Sequence, residues 1–152
     1  MKHVLIAALI GTSTLLASGT ASAQAKPEDV IKYRKGALTV AAWHMRPLGA
    51  MVKGQMPFDQ ATFLRNAEMV ASIAHVLPGG FAAGSDKGAE TRAKPEIWSD
   101  AAGFKKVMDS FQAESTKLVE VARGAQNVDA VRGQFSALSK TCGACHDNFR
   151  TK

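Results

Sequence analysis

The chain has 152 residues, of which 46% are hydrophobic and 21% charged, a composition that suits one compact folded domain. Its formal net charge of +6 is spread along the sequence without a run of Lys and Arg, which is weak support for binding to nucleic acid. Beyond the N-terminus no stretch approaches the roughly 20 apolar residues of a membrane-spanning helix. We therefore expect neither nucleic acid nor a membrane as a partner.

The N-terminal segment "MKHVLIAALIGTSTLLASGTASA" has a basic start, an apolar stretch and a small-residue ending. These features predict a secretory signal peptide over residues 1–23, removed after Ala23. The mature domain would then comprise residues 24–152 and lie in the periplasm. Its modest positive charge favours an acidic redox partner there.

Apolar residues at alternating spacings of three and four predict the first helix, from Pro27 to Val52. Pro27 suits the first turn, and Glu28 and Asp29 complement the dipole there. Pro47 removes an internal hydrogen bond, so we expect a kink or a local end at that residue. The predicted buried stripe is Ile31, Arg34, Leu38, Ala41, Met45, Leu48 and Val52.

Three further helices follow the same pattern. The second begins at Asp59 as N-cap and ends at Pro78-Gly79-Gly80; its stripe is Phe63, Ala67, Val70, Ala74 and Leu77. The third starts at Ser99 or Asp100 and is closed by Gly124; its stripe is Phe104, Val107, Met108, Phe111, Leu118 and Ala122. The fourth is capped by Asn127; its stripe is Val128, Val131, Phe135, Leu138, Cys142, Cys145 and Phe149.

Four helices without a strand pattern predict an all-α fold, an antiparallel up-down-up-down four-helix bundle. Residues 78–98 form an unusually long connection for such a bundle. Connections of this length in compact domains are usually functional or mobile.

The segment "KTCGACHDNFR", residues 140–150, contains the only two cysteines of the chain, with a histidine directly after the second. This pattern is compatible with a redox dithiol, half of a zinc site or a covalent haem attachment. A thioredoxin-like site would lie near a strand-helix-strand unit, and zinc would need further ligands, whereas His44 and His75 stand alone on different helices. On one helix face, two thiols can join the haem vinyl groups while His146 reaches the iron. Haem is the favoured interpretation.

Arg34 occupies a stripe position, where an unpaired guanidinium would be costly. It either snorkels to solvent near the helix start or pairs with a haem propionate. The sequence leaves both interpretations open.

Three segments in order resemble the cytochrome c′ family, the class II c-type cytochromes: "KPEDVIKYRKGALT" (26–39), "KPEIWSDAAGFK" (94–105) and "CGACHDNFR" (142–150). The resemblance implies a four-helix bundle with one haem c attached through Cys142 and Cys145, near the last helix. His146 would be the only protein ligand of the iron.

The resemblance also implies roles for other residues. Leu38 matches the apolar residue over the open face of the iron, and Arg150 matches a basic residue beside the axial histidine. Arg34 and Lys35 match positions near the haem propionates. Glu90 and Thr91 match a further position at the haem edge. Some members have an aromatic residue directly after the proline of "LPGGFAAG"; here Phe81 is the candidate for that place.

The resemblance implies a five-coordinate iron that binds nitric oxide and carbon monoxide, and a homodimer packed through the first two helices. Low-spin relatives place a methionine ligand at the position of Leu38, which cannot ligate iron. Electron transfer with a periplasmic partner is the alternative function. Since nothing resembles a catalytic triad or a substrate pocket, we do not expect an enzyme.

Overall fold

The structure, a computed structural model, describes residues 25–152. The predicted signal peptide, residues 1–23, lies outside that range. The helices are α1 (Pro27–Val52), α2 (Gln60–Val76), a 3₁₀ helix (Leu77–Phe81), the short α3 (Glu96–Ser99), α4 (Ala101–Arg123) and α5 (Val128–Phe149). Over residues 25–152 there is no β-strand, and a single antiparallel bridge joins Ala93 to Arg150. The four long helices form the predicted antiparallel bundle.

Helix starts follow the local capping signals of the sequence. The Asp59 carboxylate accepts a 2.8 Å hydrogen bond from the backbone N–H of Thr62. The Thr62 side chain is the main influence that lowers the pKa of Asp59, and this backbone bond adds to the effect. The Asn127 side chain accepts from the backbone N–H groups of Asp129 and Ala130 at the start of α5. Both predicted N-caps are confirmed.

α1 ends at Val52, as predicted, and α2 ends at Val76, just before the expected stop at Pro78-Gly79-Gly80. Since α1 continues through Pro47, the expected local end is absent there, and the alternative, a kink, stays a prediction. Leu48 and Met51 are buried in the core, and their packing holds the last turns of α1 despite the hydrogen bond that Pro47 cannot make. At the end of α2, the chain tightens into the 3₁₀ helix, which includes the residues that were expected to stop it.

The core has a closed end and an end that opens toward solvent. At the closed end, Leu48, Leu118 and Leu138 from three helices are fully buried together. At the other end, Phe104, Met108 and Phe149 form a second buried cluster, which we call the aromatic cluster, together with Leu77 and Ile97. Of the predicted stripes, Leu38 on α1 is exposed, and Cys142 and Cys145 on α5 are half-buried. Other stripe residues are also half-buried: Met45, Val107, Phe111, Val128 and Phe135.

None of the helices described between residues 25 and 152 is long and apolar enough to cross a membrane.

Candidate functional site

The C-terminal part of α5 carries the Cys-x-x-Cys-His pattern on a continuous helix. Cys142 and Cys145 are half-buried and form no disulfide, and His146 is exposed. Since residues three and four apart share a helix face, the three side chains lie on one side of α5. Cys145 also packs against the aromatic cluster. The pattern therefore lies at the border between the core and solvent.

Burial is the main influence on the pKa of both thiols. It raises the pKa of Cys142, an effect partly offset by the Thr141 side chain. It also raises the pKa of Cys145, with a further contribution from Cys142 and an opposing one from Arg150. A redox-active Cys-x-x-Cys pair has a lowered thiol pKa, because the thiolate is the nucleophile. These thiols therefore lack the electrostatic signature of a dithiol oxidoreductase.

The described side chains do not supply a closed zinc site. Over residues 25–152, no group of three or more His, Cys, Asp and Glu side chains is placed to hold a metal ion. His44 lies in α1, with Nδ1 2.8 Å from the side-chain oxygen of Asn66, and His75 lies in the last turn of α2. A structural zinc ion needs four ligands, which Cys142, Cys145 and His146 alone cannot provide.

The imidazole of His146 presents an unprotonated nitrogen. Arg150 Nη1 lies 3.3 Å from His146 Nε2, and because a guanidinium can only donate, Nε2 accepts. Partial desolvation lowers the pKa of His146; Arg150 and Arg92 add to this effect, and Asp147 opposes it. The neutral ring is the form that ligates iron, and ligation at Nε2 would replace the contact with Arg150.

Arg34 is buried, with 2% of its surface exposed, and turns toward the 78–98 connection. Its Nη1 donates to the Gly80 carbonyl at 3.1 Å and to Ser85 Oγ at 2.9 Å. Its Nη2 donates to the Ser85 carbonyl at 2.7 Å and to Thr91 Oγ1 at 2.8 Å. The snorkelling interpretation is therefore wrong. A contact between Arg34 and a haem propionate stays a prediction.

Aromatic rings provide much of the remaining environment of this guanidinium. Its carbon atom lies 5.4 Å from the centroid of Phe81 and 5.8 Å from that of Trp98. Burial lowers the pKa of Arg34, and the charge of Asp86 opposes that effect. Among residues 25–152 no carboxylate lies within ion-pair distance of Arg34. Carbonyls, hydroxyls and ring faces therefore replace water around the charge.

The structure brings together the residues predicted to surround the haem propionates. Thr91 contacts Arg34, and Lys35 Nζ lies 3.4 Å from the carbonyl oxygen of Glu90. Leu38 is one turn beyond Arg34 on α1, and 42% of its surface is exposed. These α1 residues and the 90–91 segment thus form one region, next to the open end of the bundle.

A strap between the long connection and the C-terminus was not predicted. The Lys94 backbone N–H donates to the Phe149 carbonyl at 3.0 Å, and that of Thr151 donates to the Arg92 carbonyl at 2.9 Å. Lys94 Nζ also donates to the Asp147 carbonyl at 3.1 Å, at the C-terminal end of α5. A lysine side chain commonly binds the last carbonyls of a helix. Lys94 is far from Asp147 in the sequence, so the sequence does not reveal this contact.

The donor set at the open end fits a covalently attached haem. Two unpaired thiols are available for thioether bonds, a neutral imidazole follows directly, and the apolar stripes of α1 and α5 are left partly uncovered at Leu38, Cys142 and Cys145. This combination of ligands and apolar surface is what a c-type haem requires.

The comparisons with known proteins agree with this chemistry. A family model described as Cytochrome C' matches residues 29–150. Cytochrome c' from Alcaligenes xylosoxydans xylosoxydans is 41% identical over 84% of this chain and 98% of its own. The structure of cytochrome c prime from Shewanella frigidimarina superposes with a TM-score of 0.80 at 36% identity, covering 85% of this chain and 99% of its own.

Another similar structure is a nitric oxide complex of a leucine-to-isoleucine mutant of cytochrome c prime from Alcaligenes xylosoxidans. Its TM-score is 0.76 at 39% identity, covering 84% of this chain and 98% of its own. The family match spans almost all of the described residues and includes both cysteines and His146. The chain belongs to the cytochrome c′ family, whose members carry haem c bound covalently through cysteines.

Proposed function

We propose that this protein is an exported haem protein whose five-coordinate iron binds nitric oxide and carbon monoxide, in a role of nitric oxide handling. Cys142 and Cys145 hold the haem, and His146 is the only protein ligand of the iron. One observation carries the proposal: Leu38, which matches the position where low-spin relatives have a methionine ligand, is exposed on α1 and cannot ligate iron. The nitric oxide complex of a relative supports the choice of ligand.

No methionine of α1 can replace Leu38 as a ligand without moving the helix. Met45 is two turns further along, about 10 Å at 1.5 Å per residue. It packs against the closed end of the core, beside Leu48. Met51 is buried in that same cluster. The distal side of the iron would therefore have no methionine ligand from this helix.

Haem iron supplies the coordination position that a diatomic gas occupies. Leu38 would cover that position with an apolar side chain, which excludes bulky ligands and offers no hydrogen-bond donor. Dioxygen gains stability from distal polarity, so it benefits least from such a pocket. Arg150 acts on the other face, where its charge lies beside His146. The chain thus favours small gases that bind strongly.

The N-terminal segment and the outer surface suggest where the protein acts and in which assembly. Residues 1–23 would direct export to the periplasm. On α1 and α2, large apolar side chains remain exposed: Tyr33, Val40, Trp43, Met69 and Val76. Trp43 is 65% exposed, and the hydroxyl of Tyr33 donates to the Val76 carbonyl at 3.0 Å, which joins the two helices. Packing of this surface on a second copy would produce a homodimer through the first two helices.

Electron transfer is the second candidate function. It is favoured by the positive charges near the axial histidine, where Arg92 and Arg150 both lower the pKa of His146. Lys94 lies at the same helix end. Such a basic surface would guide an acidic redox partner toward the haem.

Replacement of Leu38 tests the proposed function. In Leu38→Ala the open site loses its cover, so carbon monoxide should bind the reduced protein faster and more tightly. Leu38→Met keeps nearly the same volume but adds a thioether. This variant should shift the iron toward six-coordinate, low-spin behaviour and slow the binding of carbon monoxide. Stopped-flow kinetics and optical spectra of each variant provide the measurements.

Leu48→Ala is the matched control, because it is the same substitution on the same helix at the closed end. Leu48 is 0% exposed, so its loss should cost about 2 to 5 kcal/mol of stability. Carbon monoxide kinetics should stay close to those of the parent. If both Leu38 variants bind carbon monoxide as the parent does, Leu38 does not cover the distal site and the proposed mechanism is wrong.

A further inference from the structure

We propose that Arg34 is a positioning residue that holds segment 80–91 against α1 and thereby sets how easily a gas reaches the distal side of the haem. The inference rests on the proposed function. Four hydrogen bonds from the two terminal nitrogens of Arg34 all go to this segment, at 2.7 to 3.1 Å. Their acceptors belong to Gly80, Ser85 and Thr91, so one side chain joins its beginning, middle and end.

The segment has few other attachments to the bundle. Between residues 82 and 90, Ser85 is the only buried residue, and it receives two of the four bonds. The other bonds of Ser85 are local, from its N–H and its hydroxyl to the Ala82 carbonyl. Trp98 Nε1 donates to the carbonyls of Phe81 and Ala82 and thus fixes only the beginning. Later in the segment, Gly88 lies against Pro27 and Lys35 Nζ reaches the Glu90 carbonyl at 3.4 Å. Around Ser85, Arg34 is the residue of the bundle that holds the segment by hydrogen bonds.

Phe81 links this segment to the haem side of the bundle. Its ring packs against the aromatic cluster, as do Ala37 of α1 and Cys145 of α5. Its centroid is 4.8 Å from that of Phe104. Phe81, Ala37 and Cys145 thus border the same cluster, and Leu38 follows Ala37 in α1. Release of the segment would loosen this wall.

Lysine at position 34 separates this role from simple charge pairing with a propionate. A guanidinium presents its donors in a rigid planar fork, whereas an ammonium is a point charge with three donors. Lysine would keep the charge for a propionate. It could not reach Gly80, Ser85 and Thr91 together. Positioning therefore predicts that Arg34→Lys behaves like Arg34→Met, and charge pairing predicts that it behaves like the parent.

The experiment combines hydrogen exchange and carbon monoxide association on the haem-loaded protein. The variants are Arg34→Met, Arg34→Lys and Ser85→Ala, which removes one acceptor without touching α1. Lys32→Met is the matched control, because it removes a positive charge from an exposed position of the same helix. We expect peptides covering 80–93 to exchange about tenfold faster in both Arg34 variants, and less so in Ser85→Ala. Carbon monoxide should associate severalfold faster in both Arg34 variants, and less so in Ser85→Ala, while Lys32→Met matches the parent.

Two outcomes would overturn the inference. In the first, exchange of 80–93 in Arg34→Lys and Ser85→Ala equals that of the parent, so Arg34 does not hold the segment. In the second, exchange rises but carbon monoxide association is unchanged, so the segment does not control access. Neither outcome touches the proposed function, which instead fails if the parent protein shows a six-coordinate low-spin iron.

Discussion

Replacement of Gly80 by alanine introduces a methyl group where α1 leaves no room for one. A Cβ atom at Gly80 would lie 2.6 Å from Arg34 Cβ and 3.2 Å from Arg34 Cα. The closest atoms belong to the backbone and the first side-chain carbon of a helix, which cannot turn away. The 3₁₀ helix must therefore move outward, and the Gly80 carbonyl that accepts from Arg34 moves with it.

The adjacent Gly79 provides the matched control. A Cβ atom at Gly79 would meet nothing within 4 Å, and its backbone does not adopt a positive φ. Alanine there should stabilise the protein by about 0.4 to 1 kcal/mol, because the unfolded chain loses freedom. At Gly80 the same gain is set against overpacking of about 1 to 3 kcal/mol. The net expectation for Gly80→Ala is a loss of up to about 2.6 kcal/mol, with a central value of about 1 kcal/mol.

Thermal and denaturant unfolding of the haem-loaded variants measures both effects. The two substitutions should change stability in opposite directions. Gly80→Ala should melt several degrees below the parent, and Gly79→Ala at or slightly above it. If both substitutions are neutral, or if Gly79→Ala is the more harmful, the close approach of the 3₁₀ helix to α1 is not as described.

Two further predictions concern the haem and the outer surface. Cys142→Ala or Cys145→Ala should leave at most one thioether bond, seen by mass spectrometry and haem extraction, and the double variant should fold poorly because the bundle loses its cofactor. A double variant as helical and heat-stable as the parent would contradict the role of haem in the fold. Trp43→Glu should convert a dimer into a monomer in sedimentation without changing the haem spectrum, since Trp43 is exposed on α1. A parent that sediments as a monomer would remove the basis for the dimer.

Much of the bundle could be predicted because its signals are local. Periodic apolar stripes and the caps at Asp59 and Asn127 act within a few residues, and the attachment pattern occupies five consecutive positions. At Pro47 the helix continues and only the alternative of a local end is excluded, since the packing of Leu48 and Met51 outweighs one missing hydrogen bond. Tertiary packing decided that case.

The partners of Arg34 could not be predicted for a different reason. Ser85 and Thr91 lie 51 and 57 residues away, in an irregular connection. A hydroxyl in such a connection leaves no periodic signal, and neither does a backbone carbonyl. The stripe position showed that Arg34 needs a partner, because a buried charge must be compensated. Only the fold shows that the segment provides it.

The coordination of the iron in the purified, haem-loaded protein decides between gas binding and electron transfer. Optical and electron paramagnetic resonance spectra of the ferric and ferrous forms report the number of ligands and the spin state. With His146 as the only protein ligand and Leu38 on the distal side, we expect a five-coordinate, high-spin iron that binds carbon monoxide when reduced. A six-coordinate, low-spin spectrum would contradict it and favour electron transfer.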